Sequence, residues 1–254
     1  MKTYVSRWAA ILQKLVLVPD QQVLAEKMQG WLAPSRPTIM AFVNAHAMNL
    51  AAENEVFANA LAAADVVLRD GSGMAMLLST MRAQPGMNMN GTDLIPQLLR
   101  GFGGRSIALW GTDEPYLSRA KTLLDESLGA GTQICVMDGF QPVARYVEMA
   151  KENPPAIIVL AMGMPKQELV ALALREALGQ PCLIVCGGAI VDFLAQRFPR
   201  APYWMQRAGM EWVYRLCREP TRLFKRYVVG NPLFLLRMAG FRLDSARVAE
   251  VKNS

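Results

Sequence analysis

Two kinds of apolar pattern alternate along this chain. Short, nearly uninterrupted apolar runs occur at 38–43, 65–68, 106–110, 133–136, 156–160 and 182–186. Between them, apolar residues recur every three or four positions, as in Trp8, Ile11, Leu12 and Leu15, then Val23, Leu24 and Met28. Continuous runs suit strands covered on both faces, and the wider spacing suits amphipathic helices. The pattern predicts helices within 3–32, over 48–63, from about Met74, over 93–101 and after most later strands. Thr112 or Asp113 is expected to cap one of them, with Pro115 in its first turn. The expected fold is therefore α/β: a Rossmann-like, mostly parallel sheet with helices on both faces, plus a C-terminal helical basic appendage. The division expected is a core over 1–200 and an appendage over 201–254.

The polar clusters fall where these strands end, which is where open parallel sheets bind ligands. Asn44 follows the first run and Asp70-Gly71-Ser72-Gly73 the second. Gly111 follows the third, Gly163-Met164-Pro165-Lys166-Gln167-Glu168 the fifth, and Gly187-Gly188 with Asp192 the sixth. An Asp-Gly pair can be a plain turn. It can equally place a carboxylate at a strand end, ready to accept a proton from a hydroxyl. The Gly163–Glu168 run opens either an ordinary helix or an anion site at a helix start, where Gln167 can both donate and accept. Gly187-Gly188 lacks the spacing and the acidic partner of a dinucleotide fingerprint, so no such cofactor is expected.

Composition narrows the picture. The 254 residues are 52% hydrophobic and 19% charged, enough for one large core and unlike a disordered chain. No apolar run reaches the roughly 18–20 residues of a membrane span. Near the N-terminus, Gln13 and Lys14 interrupt the apolar stretch after Arg7, so no signal peptide and a cytoplasmic location are expected. Cys135, Cys182, Cys186 and Cys217 match no zinc spacing and are expected as free, largely buried thiols. His46 is the only histidine, so no multi-histidine metal site is expected.

Charge singles out the tail. Residues 203–243 hold Arg207, Arg215, Arg218, Arg222, Lys225, Arg226, Arg237 and Arg242 against Glu211 and Glu219, an excess equal to the +6 of the whole chain. With no D-x-D pair to hold a divalent ion, a bound diphosphate would rely on such cations. Arg215, Arg218, Arg222 and Lys225 share one face if the stretch is helical, with Pro220 starting a new helix. A cationic segment carrying Trp and Tyr suits an anionic membrane surface, or a basic face packed on the core. No nucleic-acid motif accompanies the charge, and nucleic acid is not an expected partner. Exposed apolar residues of the tail would be covered in a homo-oligomer.

Asn44-Ala45, Ala64-Asp65 through Asp70-Gly71-Ser72-Gly73, Gly91-Thr92-Asp93-Leu94, Gly163–Glu168 and Gly187-Gly188-Ala189 with Asp192 together resemble the WecG/TagA/CpsF glycosyltransferases. So does the stretch from Arg200 through Glu219-Pro220 to Gly230-Asn231-Pro232. The resemblance covers roughly 38–235. It implies an inverting transferase that needs no metal and works at the inner face of the membrane. Such an enzyme moves an N-acetylhexosamine-type sugar from a UDP donor onto a polyprenyl-diphosphate-linked saccharide. It implies Asp70 as general base. Asn44, Gly71, Gly111, Gly163, Met164, Gln167, Gly187, Gly188 and Asp192 become substrate or nucleotide contacts, and Arg215, Arg222 and Lys225 close over the diphosphate. Deletion from about residue 203 is expected to abolish transfer and membrane binding and leave the rest folded. Phe42 stands where the family often has Thr, His46 where it usually has an acid, and Asn88 where it usually has Arg. These departures set a second reading beside the enzyme: a relative that binds nucleotide or a partner in a glycan-assembly complex without catalysis.

Overall fold

The computed structural model describes residues 3–252, with side chains described as far as residue 243. The first half runs α1 (Thr3–Gln13), α2 (Gln21–Leu32), β1 (Pro37–Val43), α3 (Ala45–Glu53), α4 (Glu55–Ala62), β2 (Val66–Arg69), α5 (Gly71–Thr80), α6 (Gly91–Gly101) and β3 (Ser106–Gly111). The second runs α7 (Tyr116–Leu128), β4 (Gln133–Met137), α8 (Val143–Glu152), β5 (Ile157–Ala161), α9 (Lys166–Ala177), β6 (Cys182–Cys186) and α10 (Ile190–Leu194). Then come α11 (Tyr203–Arg207), α12 (Glu211–Arg218), α13 (Pro220–Phe224), a π turn (Lys225–Val229) and α14 (Gly230–Lys252).

All strand pairings in the six-stranded sheet are parallel, in the order β2-β1-β6-β5-β3-β4. Successive side chains of each strand enter two different cores. Ile39, Ala41 and Val43 join the core under α1, α3, α4, α8 and α9. Met40 and Phe42 join the one under α2, α6, α7 and α10. Burial on both faces is why the strands are continuous apolar runs. The chain leaves β1 toward the first core through α3 and leaves neighbouring β6 toward the second through α10. Strands whose connections part in this way leave a crevice between their carboxyl ends.

Several expected boundaries move. The single helix expected over 48–63 is two, because Asn54 ends α3 and its side chain accepts the Phe57 N–H to cap α4. Likewise α5 starts at Gly71 and α6 at Gly91, earlier than the apolar spacing indicates. Neither Thr112 nor Asp113 caps α7. Glu114 accepts the Ser118 N–H there, and the Thr112 hydroxyl turns to Asp192. All four cysteines are free; Cys182 and Cys186 are buried, Cys135 is half-buried and Cys217 exposed.

The tail is tied into the core. Phe234 and Phe241 stack near Trp8, with centroids 5.5 and 5.6 Å away, and all three are buried. Arg237 donates to Asn49 O and Oδ1 (both 3.1 Å) and to Glu53 (2.7 Å), while Asn49 Nδ2 donates to Gly230 O (2.7 Å). A chain cut at 203 would therefore strip cover from Trp8, and the expectation that the remainder folds undisturbed does not follow from this packing. Phe234→Ala alone should cost about 3–5 kcal/mol. A denaturant midpoint equal to that of the natural chain would contradict this packing.

Candidate active site

Asp70 follows the last residue of β2 and precedes α5, yet its side chain caps no N–H of that helix. Its loop is held by neighbours instead. Buried Arg69 donates through Nε to Pro85 O (2.6 Å) and through Nη2 to Gly86 O (2.5 Å). The Gly71 N–H donates to Asn88 Oδ1 (2.7 Å), and Gly71 has φ +83°, a left-handed conformation that glycine adopts freely. This leaves the Asp70 carboxylate free for a partner at the end of neighbouring β1: Asn44 Nδ2 donates to its Oδ2 at 3.2 Å. Asn44 in turn caps α3 through Oδ1, which accepts the Ala47 N–H and fixes the amide's orientation.

The C-terminal segment closes over this loop. A Cβ on Gly209 would lie 3.3 Å from that of Ser72, so the turn between α11 and α12 rests on the start of α5. Arg226 and Arg215 lie near enough to act electrostatically on Asp70 without an ion pair to it. Burial pushes the Asp70 carboxyl above the usual carboxylate range, opposed by the Asn44 hydrogen bond and by Arg226, Arg215 and Arg69. Burial likewise lowers the affinity of Arg226 for its proton, and its Nε has no hydrogen-bond partner. Burial, then Arg226, pushes His46 down to about 4, so its ring is neutral at physiological pH. Glu211, also near Asp70, has its carboxyl pushed up by burial while Arg200 and Arg215 pull it down. Arg200 reaches Glu211 at 3.8 Å and pairs bidentately with Asp93 at the start of α6.

A second group lines the ends of β3, β5 and β6. Gln167 is fully buried. Its Oε1 accepts the Gly188 N–H (3.0 Å) and its Nε2 donates to Glu168 Oε1 (2.8 Å), so it shapes the Gly187-Gly188 loop and presents no surface to a ligand. That differs from the direct contact expected of it, because a side chain with both a donor and an acceptor was free to turn inward. Gly188 and Gly163 border open space, whereas a Cβ on Gly111 would meet Ala161 O at 2.2 Å, which restricts that position to glycine. Met164 precedes a cis proline beside Gly163. Asp192 accepts the Thr112 hydroxyl (2.7 Å) and Arg197 Nη1 (3.2 Å).

Glu168 adds a pH signature. Burial raises its carboxyl from 4.5 to about 7, against the Gln167 hydrogen bond, and its Oε2 lacks a partner. A raised folded pKa means the stabilising protonated form is complete below the unfolded value and is lost as pH climbs through the folded one. Glu168→Gln should therefore gain stability over the natural chain between about pH 5 and 8, on the order of 2 kcal/mol. A Tm difference that stays flat across that range would refute the assignment.

The tail departs from regular helical spacing. α12 ends at Arg218, α13 starts at Pro220 as anticipated, and the π turn follows. Arg215, Arg218, Arg222 and Lys225 therefore do not form a single stripe. Arg218 is exposed and donates to the Tyr214 hydroxyl, and Arg222 pairs with Glu219 (2.6 Å) and lies over Phe198. Lys225 is exposed, and Arg226 next to it is the residue whose charge acts on Asp70. Sequence spacing missed Arg226, Glu211 and Arg69; a signal for Arg226 was present in the Lys225-Arg226 pair but its direction was not. Two of the departures also find places. Phe42 is buried in the second core near Gly91, and Asn88 holds the Gly71 amide. Among the described residues, no three His, Cys, Asp or Glu side chains are grouped to hold a metal ion, and no helix is long and apolar enough to cross a membrane. A carboxylate set opposite guanidinium groups at the crevice of a parallel sheet suits transfer to a hydroxyl with an anionic leaving group. Residues 10–247 match the glycosyl transferase WecG/TagA/CpsF family, which serves cell-surface polysaccharide synthesis, and the chain belongs to that family of glycosyltransferases.

Proposed function

We propose that this glycosyltransferase moves an N-acetylhexosamine-type sugar, or a related hexose or uronic acid, from a UDP donor to a polyprenyl-diphosphate-linked saccharide. The observation that carries this reading is the Asp70 carboxylate, oriented by Asn44 and under the electrostatic influence of Arg226 and Arg215. An acceptor hydroxyl gives its proton to Asp70 as its oxygen bonds to the anomeric carbon. The bond from that carbon to the UDP oxygen breaks, and the configuration inverts. The charge developing on UDP is met by the guanidinium groups of Arg215, Arg222 and Arg226, with Lys225 at the exposed edge. Gly163, Met164, Gly187 and Gly188 border the nucleotide, held in shape from below by Gln167 and from the side by Asp192.

The acceptor places the reaction at the inner membrane face. Tyr203, Trp204, Phe224 and Leu236 are exposed large apolar side chains on the segment that also exposes Arg207, Arg218 and Arg242. Interfacial aromatic residues beside cations support peripheral attachment to an anionic surface.

A screen of UDP-sugars against a short-chain lipid-diphosphate sugar acceptor, with and without EDTA, tests both parts. Transfer from one UDP-sugar should survive chelation at an undiminished rate. Activity lost in EDTA and restored by magnesium would overturn the metal-free mechanism, and no transfer from any UDP-sugar would overturn the donor assignment.

A further inference from the structure

Beside the Asp70 crevice, between α6 and α10, lies a cavity of about 530 Å³, within the range of small-molecule sites. Its walls include Pro96, Ile190, Phe193, Leu194, Phe198 and Pro199, so most of the lining is apolar. Cations stand around it. Arg200 is part of the wall, and its Nε is enclosed without a hydrogen bond. Arg215 lies over the Phe193 ring (5.4 Å), and Arg222 over that of Phe198 (5.9 Å). The aromatic rings thus face the cavity's contents and also carry the guanidinium groups assigned to the diphosphate. A neighbouring cavity of about 470 Å³ is different in kind, with Gln21, Asn88, Asn90, Asp93, Gln97 and Arg100 in its wall.

A half-open, largely apolar groove with guanidinium groups at its edge suits a hydrocarbon chain ending in a phosphate or diphosphate. We propose that the α6–α10 cavity takes the first segment of the acceptor's hydrocarbon, next to its diphosphate. The inference rests on the reading that the acceptor is lipid-linked. Arg215 and Arg222, over Phe193 and Phe198, then stand between the two phosphate groups, with UDP on one side and the acceptor head group on the other, while the chain leaves water between Leu194 and Pro96. Thr92 lines both cavities, and Arg215 links this one to the base, since it lies over Phe193 and is one of the cations that act on Asp70. Lipid recognition would in this way be built into the folded core as well as into the membrane-facing tail.

The test compares binding of a C15 prenyl diphosphate, below its aggregation concentration, with binding of inorganic pyrophosphate to the full chain. The natural protein should prefer the prenyl ligand by at least about tenfold, the return on burying roughly two methylene groups. Leu194→Gln should reduce that preference to about threefold or less without changing pyrophosphate affinity, and Leu194→Met should keep it. Equal affinity for the two ligands, or an undiminished preference in Leu194→Gln, would overturn the proposal. So would UMP binding that Leu194→Gln weakens, since it would assign the cavity to the nucleotide. Transfer that proceeds equally well to acceptors of any chain length would remove the cavity's role and leave the transferase intact. A chain-length preference in a protein that transfers no sugar would refute the proposed function and leave the cavity as a prenyl-phosphate site.

Discussion

Asp70→Asn is expected to lower sugar transfer by about 10²–10⁴-fold, the usual contribution of a positioned general base. Asn has nearly the shape of Asp, and the backbone around position 70 is held independently by Arg69 and Asn88. The Asn44 amide donates to the carboxylate through a single bond, which the oxygen of the new amide can still accept. Fold and UDP binding should therefore survive, so that kcat collapses while the donor's Kd moves little. Asn44→Ala should show a milder version of the same split by freeing the carboxylate to rotate. Transfer by Asp70→Asn at the natural rate would remove Asp70 from the role of base. A natural chain that transfers no sugar, and whose phenotype Asp70→Asn leaves unchanged, would instead favour the non-catalytic reading that the departures at Phe42, His46 and Asn88 raised.

Arg226→Gln should have the second largest effect, about 10²–10³-fold in kcat/KM, comparable with removing a donor aimed at developing negative charge. The pH profile separates this role from a merely structural one. Asp70 works as a base only when ionised, so activity falls as pH drops through its folded pKa. Arg226 opposes the upward push of burial on that group. Its removal should therefore move the acid limb of the kcat/KM profile to higher pH, whereas Arg226→Lys should return it toward the natural position. A lowered rate with an unmoved acid limb would confine Arg226 to binding the leaving group. Lys225→Gln, at an exposed position, should lose less than Arg226→Gln. The reverse order would restore Lys225 to the place that the family pattern assigns it.

Where the loops of this candidate site lie is legible in the sequence. Asp70, Asn44, Gly163 and Gly188 all sit at strand ends, and a strand end followed by a turn is a local property that apolar runs and glycines announce. Direction was harder to see. Gln167 has equal chemical reason to face a ligand or the protein interior, and only packing against β6 sets it beneath Gly188. Arg226 depended on a π turn, which changes the rotation per residue and so moves the inward position away from the one that α-helical spacing predicts. The helix boundaries at Asn54 and Gly71 were missed for opposite reasons. Apolar periodicity continues through Asn54 and begins only at Met74 after Gly71, and it takes the side-chain bonds of Asn54 and Asn88 to mark where the backbone bends.

The basic tail shows the same division most clearly. Sequence by itself established that its charge equals the net charge of the chain, that Pro220 divides it, and that its aromatic residues accompany cations. Those are counts and local spacings, which survive without a fold. Tertiary structure decided that Phe234 and Phe241 complete the core around Trp8, that Arg237 anchors to Asn49 and Glu53, and that the charges of Arg226 and Arg215 act on Asp70 from far along the chain. The order of the strands was decided there too, since β1 pairs with β6 only because apolar surface on both faces must be covered at once. Such pairings depend on which surfaces lose water together, and that is a property of the packed chain as a whole.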